Sequence, residues 1–298
     1  MNSGLTNHES TFQKIVRLLR WHKPAGRLIL MLPALWATVA AAKSMHQLPP
    51  LDLLGVVILG SLATSAAGCV INDLWDRDID PQVDRTKNRP LAERSLSIQV
   101  GIAVLLVSGL CAFLLSTYLN PLSFGLCFAA APVIVIYPAC KRFFPVPQLV
   151  LSIAWGFTVL IPWSAVTGGL DRYAWELWLA VITWTMGFDT IYAMSDREDD
   201  LKVGVKSSAL FFGRYVTFAI AIFLAITLGS LIWLGWEMQL GYAHYFACLT
   251  AGVIWIWQCN RLTQAEIPSD LYQKAFGQNV WIGFLILAGM LPSTLGIG

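Results

Sequence analysis

Two short segments hold most of the residues that could do chemistry. Asn72, Asp76 and Asp80 recur every four residues in NDLWDRDID, and Asp196 and Asp200 repeat that spacing in SDREDD, with Tyr192 one turn earlier. Helical continuation would put each set on one face. Of the 18 acidic residues, 11 fall between Asp73 and Glu93 or between Asp189 and Asp200. Carboxylates stacked in this way repel one another, and both sets are expected at the C-terminal ends of helices, where the macrodipole is already negative. Such an arrangement calls for a cation. Hard carboxylate and amide oxygens suit Mg2+, which retains water and takes one or two protein carboxylates together with phosphate oxygens. The pattern therefore points to a diphosphate held between two acid sets through bridging Mg2+. Bases on the same side, Arg85, Arg89, Lys141, Arg142, Lys202 and Lys206, could neutralise a departing diphosphate. Alone, one such acid repeat would be a solvated turn paired with Arg77, Arg85 or Arg197; its recurrence after two equivalent helices favours a site.

The elements that must position these residues are membrane helices. The 298 residues are 56% hydrophobic and only 13% charged, against about 25% charge in a soluble domain. A bilayer core needs roughly 20 apolar residues per crossing helix. Nine stretches qualify, at 27–44, 52–71, 98–118, 121–137, 147–168, 173–194, 215–235, 242–260 and 276–296. The expected fold is all-α: a polytopic nine-helix bundle (27–296) behind a cytoplasmic N-terminal segment (1–26). Pro33, Pro132, Pro162 and Pro292 lie within these stretches and read as kinks rather than boundaries. Trp21, Trp36, Trp163, Trp175, Trp178, Trp233 and Trp236 read as interfacial anchors near helix ends. Of the 20 Lys and Arg, 18 fall on one side and only Lys43 and Arg172 on the other. The positive-inside rule then puts the N-terminus and both acid segments in the cytoplasm and the C-terminus outside. The first apolar run is long enough to span and does not resemble a cleavable signal, so a bacterial plasma membrane is the expected location. The six Cys form no CxxC and the four His are scattered, which suggests neither a disulfide framework nor a zinc or haem site. No nucleic-acid partner is expected. Asp189 sits deeper than the other acids, and an intramembrane acid is a functional candidate.

These residues carry a family resemblance. NDLWDRDID (72–80) resembles the first aspartate motif of the UbiA family of intramembrane prenyltransferases, and YAMSDREDDLKVGVKS (192–207) resembles the second. KPAGRLILMLPALW (23–36), DRTKNRPL (84–91) and YPACKR (137–142) are similar to the 4-hydroxybenzoate polyprenyltransferase branch. The resemblance implies a helical bundle around a central cavity, capped by the acid-bearing loops. It also implies that Asn72, Asp76, Asp80, Asp196 and Asp200 bind Mg2+–diphosphate, and that Tyr137 and Lys141 lie beside the phosphates; Arg77, Arg142, Arg197, Lys202 and Lys206 are further candidate diphosphate contacts. The implied reaction is transfer of a polyprenyl group from its diphosphate to the ring carbon ortho to the phenol of 4-hydroxybenzoate, a step of ubiquinone- or plastoquinone-type biosynthesis.

Ionisation of the allylic C–O bond would be assisted at Asp76 and Asp196. Asp189 is a candidate to steady the cation or accept the ring proton. Arg27, Arg85 and Arg142 are candidates for the benzoate carboxylate. A long tail belongs in membrane lipid, since each buried methylene contributes about 0.8 kcal/mol. Relatives in the family use other acceptors, homogentisate among them. A transporter or divalent-cation channel is the competing class, but it would place its ionisable groups near the bilayer midplane, whereas these acids crowd one end.

Overall fold

In the computed structural model the chain is all helical, and residues 9–264, 266–268 and 270–296 are described. A short amphipathic helix, α1 (Thr11–Leu18), precedes α2 (Ala25–Ser44), α3 (Leu51–Trp75), α4 (Ile98–Ser116), α5 (Pro121–Cys140), α6 (Pro147–Thr167) and α7 (Arg172–Met194). Two short helices, α8 (Arg197–Val203) and α9 (Ser208–Phe212), lead into α10 (Val216–Glu237), α11 (Gly241–Leu262) and α12 (Leu271–Thr294). Among the described residues, nine long helices therefore stand where the apolar stretches placed them. By length and composition, eight of the nine could cross a membrane among the described residues. The ninth is α11, whose apolar run is diluted by His244, Gln258, Asn260 and Arg261. The count of nine spans thus becomes eight plus one more polar helix of similar length.

Local chemistry sets the ends. Ser97, Asn120 and Asp171 accept hydrogen bonds from the first-turn N–H groups of α4, α5 and α7, while Pro121 and Pro147 open α5 and α6, where a missing N–H costs nothing. Gly168, at φ +78°, ends α6 in a left-handed cap. The four expected prolines lie inside continuing helices, joined by Pro138.

Each long helix packs on the next and α12 closes back on α2, making a ring. The ring has a solid half and a hollow half. Helices α2, α6, α7, α10, α11 and α12 share one core, in which Trp36 stacks on Trp184 with ring centroids 4.9 Å apart. Asn279 Oδ1 accepts from Trp184 Nε1 at 2.8 Å and from Trp255 Nε1 at 3.0 Å, so both buried indoles are satisfied by one amide. Trp36 and Trp163 are fully buried here, which corrects their reading as interfacial anchors; Trp36 donates to the Gly283 carbonyl at 2.9 Å. Trp21, Trp175, Trp233 and Trp236 are exposed. Helices α3, α4 and α5 bury little of themselves, because their inner faces, with those of α2, α6 and α7, line a cavity.

Candidate active site

The cavity has a volume of about 1180 Å3. Its wall runs down α3 from Asn72 to Val56 and down α6 from Pro147 to Pro162, and its charged mouth lies at the Trp75 end of α3. The helical stacking expected for the first acid set is realised only in part. Helix α3 stops at Trp75, Asp76 caps it, and Asp80 opens a separate short turn. The four-residue spacing nevertheless survives in hydrogen bonds: Asp76 N donates to Asn72 O at 2.9 Å, and Asp80 N to Asp76 O at 2.8 Å.

The second set needs a larger correction. Helix α7 ends at Met194 and a new helix begins at Arg197 with Asp196 at its N-cap. Glu198, Asp199 and Asp200 therefore occupy a helix N-terminus, where the macrodipole favours negative charge, rather than the C-terminus expected from the sequence.

The two segments meet across the mouth. Arg85 lays its Nε 2.9 and 3.0 Å from the two carboxylate oxygens of Asp196, adds an Nη2 contact to the same group, and stacks over the Tyr192 ring at 4.8 Å. The backbone N–H of Asp84 donates to Asp199 Oδ2 at 3.1 Å. Around this bridge almost every buried acid has a base. Asp73 accepts from Arg20 at 2.6 Å and Arg89 at 3.1 Å, Asp80 from Arg89 at 2.8 Å, and Asp76 pairs with Lys141 at 2.5 Å. The backbone N–H of Lys206 donates to Lys141 O at 2.6 Å, joining a third loop to the mouth. Tyr137 Oη donates to Asn72 Oδ1 at 3.3 Å. Burial pushes the Asp80 carboxyl upward against the pull of Arg89, and burial followed by the nearby Asp196 pushes Asp200 up to about 6.

The donor set fits a divalent cation that shares its coordination with phosphate. Asp76 is 2% exposed and its Oδ1 has no hydrogen-bond partner, with Arg142 Nη2 stopping 3.7 Å away. An unpartnered buried carboxylate oxygen is costly, and a hard cation would satisfy it. Among the described residues no three His, Cys, Asp or Glu groups converge tightly enough to hold an ion by themselves. Phosphate oxygens and water would have to complete the shell, as Mg2+ prefers.

Of the residues singled out from the sequence, Asn72, Tyr137, Lys141, Asp189, Asp196, Asp200, Lys206, Arg27 and Arg85 line the cavity. Asp76 and Asp80 sit just behind its wall, buried against Lys141 and Arg89. Arg142 lies beside Asp76 but donates to the Trp75 and Pro138 carbonyls. Arg77, Arg197 and Lys202 lie off the cavity; Arg197 and Lys202 are exposed, and Lys202 pairs with Asp199 at 3.4 Å. Arg85 is committed to Asp196 rather than free for a substrate carboxylate. Arg27 donates to Leu19 O at 2.7 Å and stacks on Trp21. Arg20, which lines the mouth, and Gln148, Trp155 and Phe276, which line the wall, are missed by the sequence reading. Arg20 carries no motif spacing and looks like one more cytoplasmic base, and the other three look like ordinary helix-facing residues.

A membrane-spanning helical ring, hollow on one side and closed at one end by paired acids and bases, defines an integral-membrane protein of the intramembrane transferase class. The UbiA prenyltransferase family model matches residues 30–292, and the chain belongs to that family. It is 62% identical over 94% of its length to 95% of a 4-hydroxybenzoate solanesyltransferase from Synechocystis sp.. It is also 39% identical over 92% of its length to 95% of a 4-hydroxybenzoate octaprenyltransferase from Vibrio campbellii. Among solved structures, a UbiA homolog from Aeropyrum pernix superposes with a TM-score of 0.77 at 24% identity, covering 89% of this chain and 96% of that one. A UbiA homolog from Archaeoglobus fulgidus bound to GPP and Mg2+ gives 0.70 at 19% identity, covering 95% and 99%. At these identities the likeness speaks for the fold.

Proposed function

We propose that the protein transfers a polyprenyl group from polyprenyl diphosphate to the ring carbon ortho to the phenol of 4-hydroxybenzoate, with Mg2+, in the making of a ubiquinone- or plastoquinone-type quinone. The observation that carries this reading is the meeting of two acid segments through Arg85 and Asp196 at the mouth of a deep, largely apolar cavity. It agrees with the names borne by the two 4-hydroxybenzoate prenyltransferases above.

In this reading Asn72, Asp76, Asp80, Asp196 and Asp200 hold the diphosphate through Mg2+, which when bound supplies Lewis-acid stabilisation of the leaving group. Lys141, with its Nζ at Asp76, and Lys206 are placed to transfer their charge to the phosphates as these arrive. Tyr137 fixes Asn72. Arg85, held by Asp196, keeps the two acid segments together, and Arg142 props Asp76 from behind the wall. Arg77, Arg197 and Lys202 are given no phosphate role, because they lie off the cavity.

Loss of the diphosphate leaves an allylic cation at the mouth. Apolar walls exclude the water that would quench it. Attack by the ring carbon ortho to the phenol forms the new C–C bond, and loss of the proton from that carbon restores aromaticity. Asp189 lines the cavity five residues before Met194 closes α7 and three before Tyr192, and is assigned to steady the cation or take that proton. Arg27, which lines the cavity and has one guanidinium nitrogen on Leu19 O, is assigned the acceptor's carboxylate. The orientation follows the distribution of bases, with the mouth on the cytoplasmic side of a bacterial inner membrane.

Membranes containing the protein, incubated with labelled 4-hydroxybenzoate, Mg2+ and solanesyl diphosphate, are expected to yield a labelled lipid. No product from 4-hydroxybenzoate beside product from homogentisate rejects the acceptor, and no product from any aromatic acceptor rejects the reaction.

A further inference from the structure

Lys206 lines the cavity mouth with nothing on its side chain to keep it there. Lys141 and Arg85 are held by Asp76 and Asp196, whereas Lys206 is exposed and makes no ion pair among the described residues. Its place must come from the backbone. That backbone is irregular: residues 204–207 form a strap between α8 and α9, with Gly204 at φ +80° at its start and Gly213 at φ +53° beyond α9. Left-handed glycines at both limits break the helical path, so neither α8 nor α10 dictates where the strap lies.

Contacts to its neighbours do. The N–H of Lys206 donates to Lys141 O at 2.6 Å, and two residues later the N–H of Ser208 donates to Gln148 Oε1 at 2.7 Å. Lys141 and Gln148 flank the turn between α5 and α6, so both bonds tie the strap to the same turn. Ser208 Oγ also shares a 2.8 Å hydrogen bond with Thr190 Oγ1 on α7. Ser208 and Thr190 are fully buried, while Gln148 lines the cavity. Ser208 is the first residue of α9, where a backbone N–H has no acceptor within the helix. Gln148 therefore satisfies a buried donor that would otherwise be orphaned, and in doing so fixes the strap two residues beyond Lys206.

We propose that Gln148 is a positioning residue for the transfer reaction: it touches no reacting atom, and it holds the strap so that the Lys206 ammonium meets the departing diphosphate. This rests on the prenyl-transfer reading above and adds to it the side chain that places one of its charges. The bond from Lys206 N runs to a backbone carbonyl, which no side-chain change removes. The Gln148 amide is the replaceable part, and a charge misplaced by about 1 Å can lose on the order of 100-fold in rate.

The test uses the full-length protein in membranes with solanesyl diphosphate, 4-hydroxybenzoate and Mg2+. Gln148→Met keeps the length of the side chain but not the acceptor, and is expected to lower kcat at least about tenfold with KM for 4-hydroxybenzoate unchanged. Ser208→Pro breaks the same bond from the other side. Proline fits the first position of a helix, and Ser207, at φ −151° and ψ 156°, already has the extended backbone that a following proline requires. Measured against Ser208→Ala, which also lacks the hydroxyl, it is expected to reproduce the loss, and the combination with Gln148→Met to be no worse than either. With Lys206→Met already in place, Gln148→Met is expected to cost less than about twofold more, because no charge is left to place. Parent kcat in Gln148→Met, or a full tenfold loss on top of Lys206→Met, overturns the proposal. Independently of turnover, trypsin acting on the detergent-solubilised protein is expected to cut after Lys206 at least about fivefold faster in Gln148→Met than in the parent, since the strap opens more readily once a bond is lost; equal rates overturn it as well. A parent that prenylates no aromatic acceptor would instead remove the transfer reading itself, a result seen before any variant is made.

Discussion

The pair Lys141–Asp76 separates a structural clamp from a working part, and a double-mutant cycle reads the difference. Asp76 is 2% exposed and makes its shortest ion pair with Lys141 Nζ at 2.5 Å, with Arg142 Nη2 farther off at 3.7 Å, while the Lys141 side chain keeps 23% of its surface. Lys141→Met strands a buried carboxylate, which costs about 3–5 kcal/mol in comparable pairs. Asp76→Asn strands an ammonium that can turn into the cavity, so its cost is nearer the roughly 1–3 kcal/mol of a lost buried hydrogen bond. Removing both charges together leaves neither group stranded. The double variant is therefore expected to be more heat-resistant than Lys141→Met alone, with a coupling of about 0.5–3 kcal/mol.

Activity should follow a different rule. If both groups stabilise charge on the departing diphosphate, each single change lowers kcat by about 100- to 1000-fold, the scale set by removal of one preorganised electrostatic partner, and the double variant stays inactive although its stability has returned. The assays are prenyl transfer at saturating Mg2+ and the midpoint of thermal inactivation in detergent. A double variant that regains both stability and most of the parent's activity would refute the assignment and leave Lys141–Asp76 a clamp.

Two further perturbations test other parts of the structure. Asp200, pushed up to about 6 by burial and by Asp196, carries a proton below that pH and must lose it to bind a cation. The Mg2+ concentration needed for half-maximal transfer should therefore rise as pH falls through 6, by about tenfold per unit well below it, and a requirement that stays flat from pH 7 to 5 would count against Asp200 as a ligand. Asn279→Leu removes the acceptor shared by Trp184 and Trp255 and leaves two buried indole N–H groups unpaired at about 1–3 kcal/mol each. The inactivation midpoint should fall clearly while KM for the donor, bound in the other half of the ring, changes little.

How much of this could be read from the chain depends on whether the cause is local. Helix lengths follow from runs of apolar residues, and the site's charges follow from acids spaced four apart in an otherwise uncharged sequence, so both were legible. The break at Ser195 that turns Asp196 into an N-cap was not, because Tyr192, Asp196 and Asp200 keep helical spacing through it. Trp36 lies well inside α2 and Trp163 near the end of α6, and nothing in either stretch distinguishes a core indole from an interfacial one. A central cavity was implied by the resemblance, but which helices line it was not legible in the residues, for a related reason. A helix side facing lipid, one facing a lipid-tail cavity and one facing the protein core are all apolar, so amphipathic periodicity, the signal that separates inside from outside in a soluble helix, is absent from α3, α4 and α5. Only the neighbours of each helix decide which face is which.

The pairing of acids with bases at the mouth bears on how one site could be stable both empty and loaded. A buried acid cluster without counterions would protonate or force the loops apart, and a buried base cluster would do the same. Here Arg89 spans Asp73 and Asp80, Lys141 covers Asp76, and Arg85 covers Asp196, so the mouth is close to neutral without substrate. In the proposed reaction a diphosphate and a divalent cation enter together. Asp76 would then turn from Lys141 toward the metal and Lys141 would face phosphate oxygens, while Arg85 stays on Asp196 and holds the two acid segments together. The paired charges would keep an opposite partner throughout, so for them the desolvation that makes buried ion pairs costly would be met once, on folding, and not again during turnover. Among the described residues of the mouth, Asp76 Oδ1 and Asp73 Oδ2 are buried without a hydrogen-bond partner, and of the two it is Asp76, assigned to the metal, that an entering cation would relieve.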